Sequence, residues 1–235
     1  MQEMLLKLLT IDTSTSTCSV ALTIGERLVS ESLINLGKTH ASQLLLMADA
    51  ALGEAGLGIR DLDGIGVSLG PGSFTGLRVG LATVKGLALA AGKPVYGFSS
   101  LAMLALNLPW AAHPVCTMFD AKKKEVYAAL YNCRDLPLPL IDDCVESPDN
   151  FIERLEGVTV FVGEGALAYR EMIVARLGEK ALFAPPFSHL PRASRGALLA
   201  RGAYLRGETI SPVALLPRYL RASEAEVAKL RRSGS

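Results

Sequence analysis

The chain has 235 residues, half of them hydrophobic and 20% charged, which gives room for one large folded domain or two small ones. Lys plus Arg number 24 against 23 for Asp plus Glu, a net charge of +1, and this balance argues against an autonomous nucleic-acid binder, which would carry a basic stripe. Four cysteines without a close pair (Cys18, Cys116, Cys133, Cys144) exclude a C-x-x-C redox motif or zinc ribbon and point to a reduced, cytoplasmic chain.

Residues 4–11 read as a buried strand ending at Asp12, and residues 18–24 as a second strand, joined by the polar run from Thr13 to Thr17. The short apolar run at the N-terminus is broken by Lys7 and carries no cleavage signal. Gly25-Glu26 reads as a hairpin turn into a third strand over 27–33. Thr39 is positioned to cap a helix over 40–56 whose apolar positions exceed what one contact needs.

A buried strand over 65–69 then breaks at Gly70-Pro71-Gly72, and Ser73 is an N-cap candidate for a helix reaching Ala91. That helix is apolar nearly all round, with only Arg78 and Lys85 charged, so burial on more than one side is expected. Its interior glycines, Gly76, Gly80 and Gly86, each cost about 1 kcal/mol relative to alanine. Close packing against their backbone would account for them, by a core neighbour or by a partner subunit. No run reaches about 18 uninterrupted apolar residues, so no membrane span is expected.

Residues 93–98 read as a strand, 99–106 as a short helix and 107–114 as a crossing between lobes. Strands restart over 115–119 and 125–131 around a turn containing Lys122, Lys123 and Lys124, read as a solvated hairpin tip. After a further strand come a helix near 149–155, a strand over 158–162, and a helix opened by Gly163-Glu164-Gly165 and running to about 177. The strand, glycine turn and helix order repeats that of the first half, which suggests two related lobes. The last large helix is expected over 193–205 with Arg195, Arg201 and Arg206 on its polar sides, followed by a charged tail from residue 222.

Two places carry candidate phosphate chemistry. A strand ending in Asp12 and entering Thr13-Ser14 has the form of a phosphate loop, although a polar turn capping its own backbone accounts for the same residues. The glycine turns at 70–72 and at Gly163 and Gly165 precede helices, where free N–H groups can hold anions. The first has neither the lysine of a P-loop nor the third glycine of a dinucleotide fingerprint. The histidines, His40, His113 and His189, are scattered, so no metal site is expected, and no cofactor is implied.

IDTST at 11–15, KTHASQLL at 38–45, GPGSFTGLRVGLATVKGLA at 70–88, DAKKKEVY at 120–127 and PRYLR at 217–221 together resemble the TsaB (YeaZ) family from end to end. The resemblance implies a two-lobe α/β fold of the actin-like, hexokinase-like (ASKHA) type; the division is read as an N-terminal lobe over 1–107 and a C-terminal lobe over 108–235, with the packing of the tail on the first lobe left open. It implies a non-catalytic companion of TsaD, the subunit that transfers threonylcarbamoyl to adenosine 37 of tRNA, working with the ATPase TsaE and with tRNA contacted only indirectly. In the family the two N-lobe helices bind TsaD or a second copy in a homodimer. The implied interface is His40, Leu44, Met47, Ala48, Ala51, Phe74, Gly76, Leu77, Arg78, Gly80 and Leu81, so Gly80→Arg is expected to abolish the complex and leave a folded monomer. On the same resemblance Asp12, Thr13, Ser14, Gly163 and Gly165 are vestiges of phosphate loops. The alternative is an active actin-like ATPase using Asp12 and the 163–165 turn.

Overall fold

The computed structural model describes residues 5–36 and 40–221, with side chains left undescribed at 40–42; Thr39 and the tail from Ala222 lie outside the described residues. Strands β1 (Lys7–Asp12), β2 (Cys18–Ile24), β3 (Arg27–Ile34), β4 (Gly64–Gly70) and β5 (Val95–Ser99) form one sheet in the order β3-β2-β1-β4-β5. The hairpins β1–β2 and β2–β3 are antiparallel, while β4 joins β1, and β5 joins β4, in parallel. Helices α1 (His40–Glu54) and α2 (Phe74–Ala91) supply the crossovers that parallel pairing requires.

A second sheet repeats the plan. Strands β6 (Val115–Lys122), β7 (Glu125–Asn132), β8 (Leu138–Glu146), β9 (Thr159–Val162) and β10 (Ala181–Phe183) lie in the order β10-β9-β6-β7-β8, again three antiparallel strands followed by two parallel ones. Helix α3 (Ser100–Ala105) links the lobes, α4 (Pro148–Glu153) follows β8, and α5 (Glu164–Ala168) and α6 (Arg170–Leu177) stand in place of the single helix to 177 that the sequence suggests. The break is at Tyr169, whose φ of −106° and ψ of 17° leave the helical region. Two mixed sheets of one topology flanked by helices make this the two-lobe actin-like fold.

Each sheet is covered on both faces. On one face of the first sheet, Leu44, Met47, Ala48 and Ala51 of α1 and Leu81, Val84 and Ala88 of α2 pack with Leu9, Ile11, Val20 and Ile65. On the other face Leu8, Tyr96 and Phe98 meet Met103 of α3 and Ala200 and Ala203 of helix α7 (Ala193–Leu205). The chain therefore completes the second sheet and returns to the lobe where it began. Gly196 permits the close approach, because a Cβ there would stand 2.4 Å from the Phe98 ring.

The lobes are tied at β5 and β8. Asp143, with only 3% of its side chain exposed, accepts hydrogen bonds from Ser99 Oγ (2.7 Å) and Tyr131 Oη (2.6 Å) and pairs with Arg218 at 3.3 Å. Burial, with the Asp143 carboxylate beside it, pushes the Tyr131 phenol well above its usual range.

Helix α7 has no capping side chain of its own. The first sheet caps it instead: Ser19 Oγ accepts from Ala193 N–H (2.9 Å) and Glu31 Oε1 from Ser194 N–H (3.0 Å), while Glu31 Oε2 also takes Arg192 Nε at 3.1 Å. Burial alone would raise the Glu31 carboxyl, but the bonds to Arg192 and Ser194 outweigh it and the pKa is lowered. A lowered carboxylate pKa contributes stability above the unfolded value of about 4.3, lost as the pH falls through the folded value. Glu31→Ala is expected to destabilise the chain by about 1–2 kcal/mol at pH 7. In denaturant unfolding, the gap from the parent should close as the pH drops below about 4; a gap independent of pH would remove the charged cap from this account.

Candidate functional site

The junction of β1, β4 and α2 organises the N-terminal lobe. Asp12 is fully buried at the end of β1, and its Oδ1 accepts from Ser14 N–H at 3.2 Å and from Ser68 Oγ. The 13–17 loop then lies across the start of α2. Ser14 carbonyl oxygen accepts Ser73 N–H at 2.7 Å, and Thr13 Oγ1 donates to Gly76 carbonyl oxygen at 2.8 Å. Ser73 is the N-cap, its Oγ accepting Gly76 N–H at 3.3 Å. The Ser73 and Gly76 N–H groups at this helix start are thus taken by the chain itself.

The glycines make that contact. A Cβ at Gly72 would lie 2.2 Å from Ser14 O, one at Gly76 2.1 Å from Thr13 O, and one at Gly80 2.2 Å from Thr13 Oγ1. This corrects the partner-facing reading of Gly76 and Gly80: the glycine row of α2 faces the β1–β2 loop. Leu77 and Leu81 are buried beside it, and Leu44, Met47, Ala48 and Ala51 are buried on α1. None of these is a surface residue of the single chain, so Gly80→Arg would break the fold, not spare a monomer.

Phe74 and Arg78 are also engaged within the chain. The Tyr219 ring stacks at 4.7 Å from Phe74, and Arg78 Nε donates to Tyr219 Oη at 2.8 Å. His40 opens α1, but its side chain lies outside the described residues. The outward faces of α1 and α2 hold other residues. On α1 they are Leu45 and Leu46, 51% and 69% exposed, with Ala50 and Gly53. On α2 they are Thr75, Ala82, Gly86, Leu89 at 54% and Ala90. The signal for them is a second apolar row on the same helices, which periodicity alone cannot rank against the first. By length and composition α2 could span a membrane, with mean hydropathy 1.3, yet one side of it is packed into the core of the first lobe.

Between the lobes lies a cleft of about 410 Å³, walled by Ser14, Thr15, Gly72 and Phe74 on one side and by Asp120, Lys122, Tyr127 and Glu164 on the other, with Arg221 at its edge. Its two lining cations are already paired: Lys122 Nζ with Asp120 Oδ2 at 2.7 Å, and Arg221 with Glu125 at 2.5 Å and Ala121 O at 3.0 Å. Lys122, Lys123 and Lys124 all have positive φ (62°, 56° and 63°), forming the tight tip of the β6–β7 hairpin.

Gly163 and Gly165 pack as Gly72 and Gly76 do. A Cβ would meet Met118 O at 2.1 Å from Gly163 and the Phe119 carbonyl carbon at 2.7 Å from Gly165. Gly163 N–H donates to His189 Nδ1 at 3.1 Å, which leaves the proton on Nε2 to donate to Ala184 O at 3.0 Å. The histidine is thereby spent on structure. Burial pushes the Cys18 thiol up to about 11, Cys133 to about 11 and Cys144 to about 12, far from nucleophilic values. Among the described residues no three His, Cys, Asp or Glu side chains gather as a metal site.

A family model described as TsaD, tRNA N6-adenosine threonylcarbamoyltransferase, matches residues 34–229. The chain is 30% identical over 223 residues to the tRNA threonylcarbamoyladenosine biosynthesis protein TsaB of Bacillus subtilis (strain 168), covering 93% of this chain and 96% of that one. It is 36% identical over 234 residues to TsaB of Haemophilus influenzae, covering 92% and 94% respectively. The solved structure of YeaZ from Pseudomonas aeruginosa superposes with a TM-score of 0.79 at 34% identity, over 92% of this chain and all of that one.

The glycines divide into two kinds, and stability should report the division. Gly76→Ala drives a methyl into the Thr13 carbonyl, so it is expected to cost about 1–3 kcal/mol. A methyl placed at Gly86 would have no neighbour within 4 Å; Gly86→Ala should therefore stabilise the isolated chain by up to about 1 kcal/mol. The reverse order of the two variants in thermal melting would overturn the placement of α2.

Proposed function

Because the chain belongs to the TsaB family, we propose that it serves formation of N6-threonylcarbamoyladenosine in tRNA as a non-catalytic subunit that binds a TsaD-type transferase through the outward faces of α1 and α2. The observation that carries this reading is the exposed apolar surface of Leu45, Leu46, Ala50, Ala82, Leu89 and Ala90. Large apolar side chains side by side in water mark a contact surface. Gly86 and the alanines keep that surface shallow, so a partner helix can approach the α2 backbone. A second copy of the chain can take the same face when the transferase is absent, with the TsaE-type ATPase joining through the pair.

The cleft supports a role without ATP hydrolysis. A polyphosphate placed there would meet the Asp120 and Glu164 carboxylates, while the Ser73 and Gly163 N–H groups are already taken by Ser14 O and His189. Asp12 is turned into hydrogen bonds with Ser14 and Ser68 instead of the cleft. The reading puts the chain in the cytoplasm with its tRNA, where four free thiols are stable.

The test is reconstitution: threonine incorporation into unmodified tRNA by the transferase, the ATPase and the adenylate-forming enzyme with ATP, with and without this chain. Incorporation should collapse without it, and the chain alone should hydrolyse no ATP. Leu46→Asp and Ala82→Arg should abolish the complex in size-exclusion chromatography while far-UV circular dichroism is unchanged. Incorporation indifferent to the chain, or a complex that survives both substitutions, would sink the proposal.

A further inference from the structure

The face of the first lobe opposite α1 and α2 carries a separate groove of about 500 Å³ between the β2–β3 hairpin and α7. Arg192, Arg195, Leu198 and Arg201 line it at three-residue spacing, a ridge that crosses the helix obliquely. Arg192 is held by Glu31, and Arg201 reaches Glu26 at 3.1 Å, a carboxylate whose side chain is 82% exposed. Arg195 differs from both. Its guanidinium has no hydrogen-bond or ion-pair partner among the described residues, and its Nε is shut off from solvent. The rest of Arg195 still lines the groove, and an unpaired guanidinium at such a surface is matched by a carboxylate arriving from outside.

We propose that this groove is a docking site for a short acidic, leucine-bearing segment of a partner protein, with Arg195 taking one carboxylate and Arg201 a second in exchange for Glu26. The helix N-terminus is not the receptor, because Ser19 and Glu31 already fill it. Leu28 and Leu198, 45% and 41% exposed, give the groove apolar walls. No aromatic side chain lines it for base stacking, and two glutamates stand against the three arginines, so a peptide fits better than an RNA strand. This surface is independent of the α1–α2 contact proposed above.

The probe is a fluorescein-labelled, end-blocked peptide of Glu-Leu-Ser repeats, titrated with the full chain and followed by fluorescence anisotropy. Saturable binding is expected, weakened at least tenfold by Arg195→Gln and by Arg201→Gln and unchanged by Arg134→Gln on the other lobe. Arg195→Lys keeps the charge but not the fork and should lie between; it carries the test if Arg195→Gln fails to fold. Absence of binding, or binding indifferent to Arg195 and Arg201, overturns the proposal. It is also overturned if Gln-Leu-Ser repeats bind as well, or if an oligouridylate binds more tightly with the same arginine dependence.

Discussion

The seating of α2 on the β1–β2 loop is the contact on which the rest of the N-terminal lobe depends. Gly72, Gly76 and Gly80 recur at every fourth residue and leave a channel with no side chains, and the backbone of Thr13 and Ser14 lies in it. Two hydrogen bonds lock the seating, Ser73 N–H to Ser14 O and Thr13 Oγ1 to Gly76 O. With the helix so close, its rotation about its own axis is fixed. That rotation decides which apolar row meets α1 and the sheet and which is left in water.

The same contact changes what the fold can do with phosphate. In an open version of this architecture the start of α2 and the β1–β2 loop would face the cleft with free N–H groups. Here the Ser73 N–H is taken by Ser14 O and the Gly76 carbonyl by Thr13 Oγ1. The second lobe reaches a similar result by another route, with His189 on the Gly163 N–H and Gly165 pressed against the Phe119 backbone. The cleft between them is bridged by a segment of the C-terminal region. Arg218 N–H donates to Leu69 O in the first sheet while its side chain pairs with Asp143 of the second, and Tyr219 and Arg221 continue across to Phe74 and Glu125. This segment thus ties the two sheets together on both sides of the cleft.

Much of the plan is legible in local signals. Alternation and turn residues mark the strands of both sheets except β10, which the sequence reading leaves out, Ser73 marks its cap, and the recurring strand, glycine turn and helix mark the two related lobes. What local signals do not carry are the decisions made over long distances. The glycine row of α2 has its reason in Thr13 and Ser14, some sixty residues upstream, so from the helix alone it resembles a partner's seat. Leu44, Met47, Ala48 and Ala51 read as an interface because α1 is apolar on several sides, and burial takes the row that periodicity cannot single out. Nothing local in α7 says which sheet it will cover; Ser19 and Glu31, more than 160 residues earlier, settle it.

Gly86 separates the two uses of small residues in one helix. Gly76 and Gly80 are fixed by atoms of their own chain, and their cost to helix propensity is offset by contacts that larger side chains would forbid. Gly86 incurs the same cost of about 1 kcal/mol with no atom of the chain near enough to justify it. A residue that weakens the folded chain without improving its packing has to find its reason outside the chain. Its position supplies one: Gly86 stands in the exposed row with Ala82, Leu89 and Ala90, on a helix that packs against α1, whose Leu45 and Leu46 are also exposed. The energetics of the isolated chain and the shape of its surface thus point to the same face of α2, and they do so from different observations.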